Sequence, residues 1–588
     1  MHRGISQLAQ VLGVGVVVGC CAALACACRQ LPRRPDVVVS GGAGAPVSVR
    51  CAGRELLVGG GTLRVRRVVF ERADGSRYEG GLQEAVPAAG AVAGTHTLAY
   101  GWGAVTWSRT TAEQRVDLRV RVDNESEDRL HLIEVDLVAF DLGEDVTVGR
   151  ERHNVGTPSV IPCRWDGGVM ALCNLQRDRP LRLSWAHTGA RVTARLVAGG
   201  DRLVYDGRWL RRPVAPGKSD VYEVSVRFGA AGTDPWGLGA DVFAAFRAAH
   251  PPALDWPDRR PINRLFFGGG APKNEIIAYY RDPENNPKPQ PGDNRYQERV
   301  LTTVRRGVAA AEKTGAQGIV LWDVEGNSFP HPTTYIGDPR VVDVFNPDFD
   351  AVADEAFKLI TDAGLLPGVC IRPTQIEYNR KKKTMAHSYG RALQAWDADP
   401  VVNQLGAKID YARRRWGCRL FYVDTNIVWK PRGPEGKWSA GLIQAKVWRK
   451  LLRRFPDILV IPEFGYPEYF GHVGVYTEYD CEYRGVRPDV RRTYPEAFHV
   501  AVIEDADPHE TYDLMVRNVR AGDCLMTFAT GLSRNARAQI QIYAEADVLD
   551  RGRPERLRGM DVNQLAGVLA AGDRRAQFYA CRALGERP

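Results

Sequence analysis

The sequence predicts a two-domain chain, an antiparallel β-sandwich followed by a (β/α)8 barrel. Three observations carry this. From about residue 36 to 230 apolar residues alternate with polar ones at period 2. After residue 260 short runs that are apolar on both faces alternate with segments of period 3.6. Between the two patterns lies a short helical stretch that ends at Pro251-Pro252. Alternation marks strands with one solvated face, hence antiparallel sheets, whereas continuous apolar runs suit a parallel sheet covered by helices.

The chain has 588 residues, 44% hydrophobic and 25% charged, which is ordinary globular composition with length for two or more domains. Its net charge of +9 comes from scattered, mainly Arg residues. The one compact basic run, Lys381-Lys382-Lys383, reads as a solvated loop, and with no helix–turn–helix or RNP-like signature a nucleic-acid partner is not expected.

Residues 1–28 read as a targeting segment. Arg3 gives a positive start, residues 11–19 (VLGVGVVVG) form an apolar region too short for a bilayer span, and Val17-Val18-Gly19-Cys20 resembles a bacterial lipobox. That resemblance implies lipidation of Cys20. Plain secretion with cleavage near ALACAC and an uncleaved anchor are the alternatives, and all three place the mature protein outside the cytoplasm. A lipid anchor is the one membrane contact expected.

The first domain is expected over 36–230. Val116, Leu118, Val120 and Val122 alternate with charged residues, Asp123 to Asp128 form a turn, and Leu130 and Leu132 resume the pattern. Tyr222, Val224, Val226 and Phe228 repeat it. Cys163 and Cys173 flank the turn Trp165-Asp166-Gly167-Gly168, close enough in sequence for a bridge across a hairpin in an oxidising compartment. Cys370, Cys418 and Cys524 read as buried free thiols. Residues 231–260 form the linker, with a helix over roughly 240–249.

The barrel is expected over 261–550. Eight apolar runs supply its strands: RLFFGG, GIVLWD, LPGVCIR, CRLFYVD, DILVIPE, VGVYTE, FHVAVIE and CLMTFA. The helix after the second run has Asn346-Pro347 as its cap and first position, a stripe of Val352, Ala356, Leu359 and Ile360, and a stop at Gly364. Val300, Val304, Val308 and Ala311 make the stripe before Gly315. The fifth unit is weak, since the stretch after Glu463 is too short for a usual crossover helix. Residues 551–588 form a tail expected to be helical.

In such a barrel chemistry sits where strands end. Five runs end in or near acids: Asp323 and Glu325, Asp424, Glu463, Glu478 and Asp480, and Glu504 and Asp505. The third ends in Arg372. Carboxylates gathered on one rim beside Trp322, Tyr422, Trp429, Tyr466 and Tyr476 point to glycoside chemistry. One acid protonates the leaving oxygen, a second carboxylate attacks the anomeric carbon or activates water, and flat rings receive sugars. Neighbouring strands lie about 4.8 Å apart, so Asp424 and Glu463, on adjacent strands, suit a retaining pair at about 5–5.5 Å. Asp424 with Glu478 or Asp480 skips a strand and reaches the inverting range of about 6.5–9.5 Å.

The order sandwich, helical linker, barrel, together with Tyr422-Val423-Asp424-Thr425-Asn426, resembles glycoside hydrolases of the α-galactosidase and α-glucosidase type. In those families the fourth strand ends K-x-D-x-N with the aspartate as nucleophile; here Tyr422 replaces the lysine. Their acid/base is an aspartate after the sixth strand, where this chain reads Tyr476-Thr477-Glu478-Tyr479-Asp480. A fifth-strand glutamate such as Glu463 is instead the pattern of α-amylase-like barrels. The tail after residue 550 is short for the usual C-terminal β-domain. The expectation is an extracytoplasmic glycosidase acting on an oligo- or polysaccharide. Asp424 is its nucleophile and Glu463 its acid/base, with Glu478 or Asp480 as the alternative. Trp322, Asp323, Glu325, Arg372, Tyr422, Asn426 and Trp429 hold the sugar. Neither metal nor cofactor is expected, because zinc-spaced pairs, a G-x-S-x-G and an H-E-x-x-H are lacking. A glycan-binding surface lipoprotein that does not turn over its ligand is the rival. His331, His387 and His472 are read as solvent-facing loop residues.

Overall fold

The computed structural model describes residues 37–40, 47–61, 63–85, 95–149, 152–153, 157–176, 181–200, 213–267, 294–322, 324–325, 327–328, 334–335, 337–373, 376–379, 384–387, 398–432, 437–478, 484–503 and 511–548. The targeting segment with Cys20, the tail 551–588, and Asp323, Asp480, Glu504, Asp505, His331 and the 381–383 lysine run all lie outside them. Among the described residues no helix is long and apolar enough to cross a membrane. The chain divides into two compact units, one formed by most of the chain before Phe243, the other from Phe243 onward.

The first unit is antiparallel. One sheet runs Arg152–His153, Leu181–Thr188, Arg191–Gly199, Arg129–Asp141, Arg64–Glu71, Arg77–Glu79. A second runs Thr147–Val148, Val160–Trp165, Gly168–Asn174, Lys218–Ala230, Arg115–Asn124, Gly103–Ala112, Thr95–Tyr100, Glu84–Ala85, and a small third joins Val37–Ser40, Ser48–Cys51 and Arg54–Glu55. Val135, Phe140 and Leu196 from the first and Leu118, Val122 and Val226 from the second share one buried cluster. The alternation holds over Arg115–Asn124 and from Asp220 to Val224, beyond which Ser225 and Arg227 are buried as well. It breaks at Leu130, where the register with Arg64–Glu71 shifts between Leu130 and Leu132. The bulge changes the phase, so Ile133, Val135 and Leu137 enter the core and Leu132 is only partly buried.

Register also decides the cysteine pair. Cys163 lies opposite Met170, and Cys173 opposite Val160. Met170 and Cys173 are three residues apart, so the two thiols point to opposite faces of the hairpin. They are free and buried, and the possible bridge does not form. Burial pushes each thiol up to about 12. Cys370, Cys418 and Cys524 are buried and free, as read from the sequence.

The second unit carries eight parallel strands; seven lie within the expected apolar runs, and the first starts two residues ahead of RLFFGG and shares only Arg264 and Leu265 with it. They are β1 (Ile262–Leu265), β2 (Gly318–Leu321), β3 (Leu366–Ile371), β4 (Leu420–Val423), β5 (Leu459–Pro462), β6 (Val475–Glu478), β7 (His499–Val502) and β8 (Cys524–Phe528). Their order is β5-β4-β3-β2-β1-β8-β7-β6, a near-barrel whose ladder is open between β5 and β6. There the Gly474 N–H still reaches Val460 O at 3.1 Å. The opening falls at the weak unit, whose connection holds only the 3-10 turn Pro467–Gly471.

The apolar runs divide by parity. Val320, Cys370, Leu420, Tyr422, Leu459 and Ile461 belong to one cluster, lining the inside. Ile319, Leu321, Val369, Phe421 and Val460 belong to another, with helix residues such as Val304, Phe357, Leu405 and Leu451. Helix Pro347–Asp362 is capped by Asn346, whose side chain accepts from Phe349 N at 3.3 Å, and Gly364, at φ +70°, follows its end. Its buried face is Phe349, Ala353, Ala356, Phe357 and Ile360, so Val352 and Leu359 of the expected stripe sit at its edge. The loops after β2, β3 and β4 each carry a two-stranded hairpin that residue patterning did not reveal.

Candidate active site

Parity places the site. Cys370, Tyr422 and Ile461 face the barrel axis, so Arg372, Asp424 and Glu463, two residues further on, face it too. Register brings them level. The Asp424 N–H donates to Ile371 O at 2.9 Å, and the Glu463 N–H to Val423 O at 3.1 Å.

Arg372 and Asp424 are both buried. The Arg372 Nε–H donates to Asp424 Oδ2 at 2.7 Å, and Nη2 reaches the same oxygen. The guanidinium therefore pairs with Asp424. Glu463 is hydrogen-bonded to Asp424 and accepts the Thr425 N–H on Oε2 at 2.6 Å. Burial and the neighbouring Asp424 charge push the Glu463 carboxyl up to about 7. One carboxylate thus has a cationic partner, while the other is held partly protonated near neutrality.

Thr425 joins them. Its Oγ1–H donates to Asp424 Oδ1 at 3.1 Å, and its backbone sits at φ +47°. A β-branched residue is rare there and strained. Residue typing overlooked Thr425, because neither its chemistry nor an apolar pattern marks it.

Below the carboxylates lies an aromatic floor. Tyr422 is buried against Trp322 at a ring-centroid distance of 4.0 Å and against Tyr476 at 5.1 Å. Burial, then Glu463 and Asp424, drive the Tyr422 hydroxyl well above its ordinary value. Glu478, on β6, accepts the Tyr476 hydroxyl at 2.7 Å.

Two expected sugar ligands have scaffold duties instead. Asn426 is fully buried; its Nδ2 donates to Phe464 O at 2.9 Å and its Oδ1 accepts Phe464 N–H at 2.8 Å. It ties the turn after β4 to the turn after β5. Glu325 is also fully buried, and its Oε1 accepts the N–H groups of Gly337 and of Asp338. Burial raises it to about 7. Neither has exposed surface for a sugar. Trp429 lies in the hairpin strand Ile427–Arg432, its side chain outside the description.

Behind Arg372 sits a support that the sequence did not suggest. Lys408, fully buried on helix Ala398–Trp416, donates to Arg372 O at 2.7 Å and to Gly337 O at 3.0 Å. Gly337 has φ +65°, and a Cβ on it would lie 2.6 Å from Arg372 N. A glycine is needed for that approach. His472, read as solvent-facing, is completely buried in the β5–β6 connection, where packing closes over the short crossover. Neither ring nitrogen has a hydrogen-bond partner, and burial lowers it to about 4. Among the described residues no group of three or more His, Cys, Asp or Glu could hold a metal ion.

No protein-family model matches the chain, and no curated protein matches it. Among solved structures, the α-galactosidase from Lactobacillus brevis is 10% identical, with 89% of this chain and 73% of that one covered at a TM-score of 0.39. The α-N-acetylgalactosaminidase from Bifidobacterium bifidum is 12% identical over 86% and 90%, at 0.47. A GH31 family sulfoquinovosidase from E. rectale is 9% identical over 94% and 81%, at 0.41.

Proposed function

We propose that the second unit is the catalytic barrel of a glycoside hydrolase, working by retention, and that the two larger antiparallel sheets of the first form a β-sandwich. One observation carries the functional reading: Asp424, bound by Arg372, hydrogen-bonds Glu463, whose carboxyl is held up at about 7. The chemistry needs one ionised and one protonated carboxyl at a single bond. Glu463 gives its proton to the glycosidic oxygen as the bond to the aglycone breaks. Asp424 attacks the anomeric carbon from the other side and forms a glycosyl ester. Water, losing a proton to the Glu463 carboxylate, then cleaves that ester. The two carboxyls follow adjacent strands, about 4.8 Å apart, a spacing closer to the about 5–5.5 Å of a retaining pair than to the wider inverting range. A bound sugar must part them by rotation of Glu463.

The rival reading, a barrel that binds glycans without cleaving them, draws support from the same mutual hydrogen bond, which closes the pair. Product analysis on a panel of 4-nitrophenyl glycosides and plant and algal polysaccharides separates the two. Release of nitrophenol, abolished in Asp424→Asn, supports hydrolysis; glycan retention without product overturns it. A 2-deoxy-2-fluoro glycoside trapped on the peptide carrying Asp424 supports its role as nucleophile. Loss of turnover in Glu478→Gln, with Glu463→Gln active, would move the acid/base role to β6. Lipidation at Cys20, and with it an extracytoplasmic site, is checked by mass spectrometry of the mature N-terminus.

A further inference from the structure

Helix Ala445–Arg454, between β4 and β5, buries Ala445, Val447, Trp448, Leu451 and Leu452. Each of its other residues is a cation: Lys446, Arg449, Lys450, Arg453 and Arg454. Spacings of three and four residues put all five on one face, as a stripe about 12 Å long. Arg449 is half-buried and the other four are exposed. Lys450 pairs with Asp399, whose carboxylate also feels the Lys446 charge. Among the described residues Lys446, Arg449, Arg453 and Arg454 have no salt-bridge partner. The neighbouring helix Ala398–Trp416 differs, because each of its four cations has an acid. Lys408 lies 3.9 Å from Asp338, Arg413 2.7 Å from Asp457, Arg414 2.7 Å from Asp410 and Arg415 2.6 Å from Asp350. Arg454 is held in place without one. Its guanidinium is 5.0 Å from the Phe455 ring centroid, and a Cβ on Gly406 would come 3.0 Å from its Nη1. The start of the helix meets the candidate site: the Ala445 N–H donates to the Tyr466 hydroxyl at 2.9 Å, and the Ile443 N–H to Asn426 O at 3.1 Å. From there the stripe runs down the outer wall of the barrel, away from the rim that carries Asp424 and Glu463.

We propose that this stripe binds an acidic polysaccharide, a chain carrying carboxylate or sulfate groups along its length. That the same chain enters the cleft at Asp424 and Glu463 rests on the glycosidase reading; its binding to the helix does not. Like charges three and four residues apart on a helix repel one another. The fold sets a single paired acid against five such cations, so an external polyanion balances what the chain leaves unbalanced. Three of the five are Arg, whose planar fork matches carboxylates and tetrahedral oxyanions. A membrane surface fits less well. A helix that lies on a bilayer gives it an apolar face, and here Val447, Trp448, Leu451 and Leu452 are packed in the barrel core. Single-stranded nucleic acid binds through exposed rings on which its bases stack, whereas Trp448, the one aromatic residue of the helix, is completely buried.

The test titrates fluorescein-labelled polygalacturonate and dextran sulfate, with neutral dextran as control, against the full chain and reads fluorescence polarisation. Both polyanions are expected to bind, more weakly as salt rises, and dextran is not. Lys446→Gln, Arg453→Gln and Arg454→Gln combined should weaken the binding about tenfold or more. Arg305→Gln, Lys358→Gln and Arg414→Gln combined remove the same charge from other barrel helices and should change it less than about twofold. All six side chains are exposed, so both triple variants keep the fold, which urea midpoints verify. No binding of either polyanion to the parent, equal binding of dextran, or equal weakening by the two triple variants overturns the inference. Tighter binding of phosphatidylglycerol vesicles or of single-stranded DNA than of either polyanion overturns the polysaccharide as the occupant. Binding at the stripe by a protein that cleaves no glycoside sinks the glycosidase reading alone. In an active enzyme the stripe variant should raise KM for an acidic polysaccharide and leave that for a 4-nitrophenyl glycoside unchanged; an unmoved KM for the polymer severs the link to the cleft alone.

Discussion

The backbone N–H of Thr425 donates to Oε2 of Glu463 at 2.6 Å, from a residue whose φ is +47°. Strain in the turn after β4 is thereby coupled to the position of a carboxyl just after β5. Thr425→Gly keeps the donor and removes the strain, so it is expected to stabilise the barrel by about 1 kcal/mol while loosening Asp424 Oδ1. Urea unfolding measures the first effect. A loss of stability in the glycine variant would show that the left-handed turn is not under strain.

The Glu463 carboxyl is raised by burial first and by Asp424 second. Asp424→Asn removes the like charge and is expected to move the Glu463 titration down toward the ordinary carboxylate range. Glutamate-selective carbon-13 NMR follows it directly. An unmoved titration would mean that burial alone holds the proton.

Lys408 neutralises no surface charge; it hydrogen-bonds the carbonyls of Arg372 and Gly337 from a fully buried position. Lys408→Met leaves both carbonyls without that donor and Asp338 without its buried cation, 3.9 Å away. The expected loss is about 3–5 kcal/mol, together with lowered turnover because Arg372 loses its backing. A midpoint of denaturation within error of the parent contradicts this role.

Stability should fall on both sides of a mildly acidic optimum. Glu325 and Glu463 are raised from 4.5 to about 7 when folded, so the folded chain holds protons that the unfolded chain releases. Their contribution is complete below about 4.5 and is lost as pH rises through about 7. For fully buried Glu325 the loss is on the order of 3 kcal/mol. His472 is lowered from 6.5 to about 4, so the unfolded chain binds the extra proton and stability is lost as pH falls from 6.5 to 4. His472→Leu should flatten the acid limb and leave the alkaline one unchanged. Urea midpoints at pH 4, 5.5 and 7.5 read both limbs.

Most of the barrel could be read in advance because its strands fall in short, mainly apolar runs, and the two-residue period that fills its inside also carries Arg372, Asp424 and Glu463 to the axis. That parity is a property of local sequence. The pairings were not: nothing in the chain's order told whether Arg372 would meet Asp424 or Glu463, or that Asn426 would face Phe464 rather than a ligand. Those outcomes depend on side chains that meet from strands about 40 residues or more apart in sequence, within the about 4.8 Å spacing of a sheet.

The sequence alone determined the parallel strands of the barrel in outline, the helix capped by Asn346, and the axis-facing parity of Arg372, Asp424 and Glu463, because propensity and periodicity act over a few residues. Tertiary structure alone decided the bulge that shifted the core from Leu132 to Ile133, the separation of Cys163 from Cys173, the burial of His472 and the strained turn at Thr425. Each of these follows from register and close packing, which couple distant segments and leave no local mark.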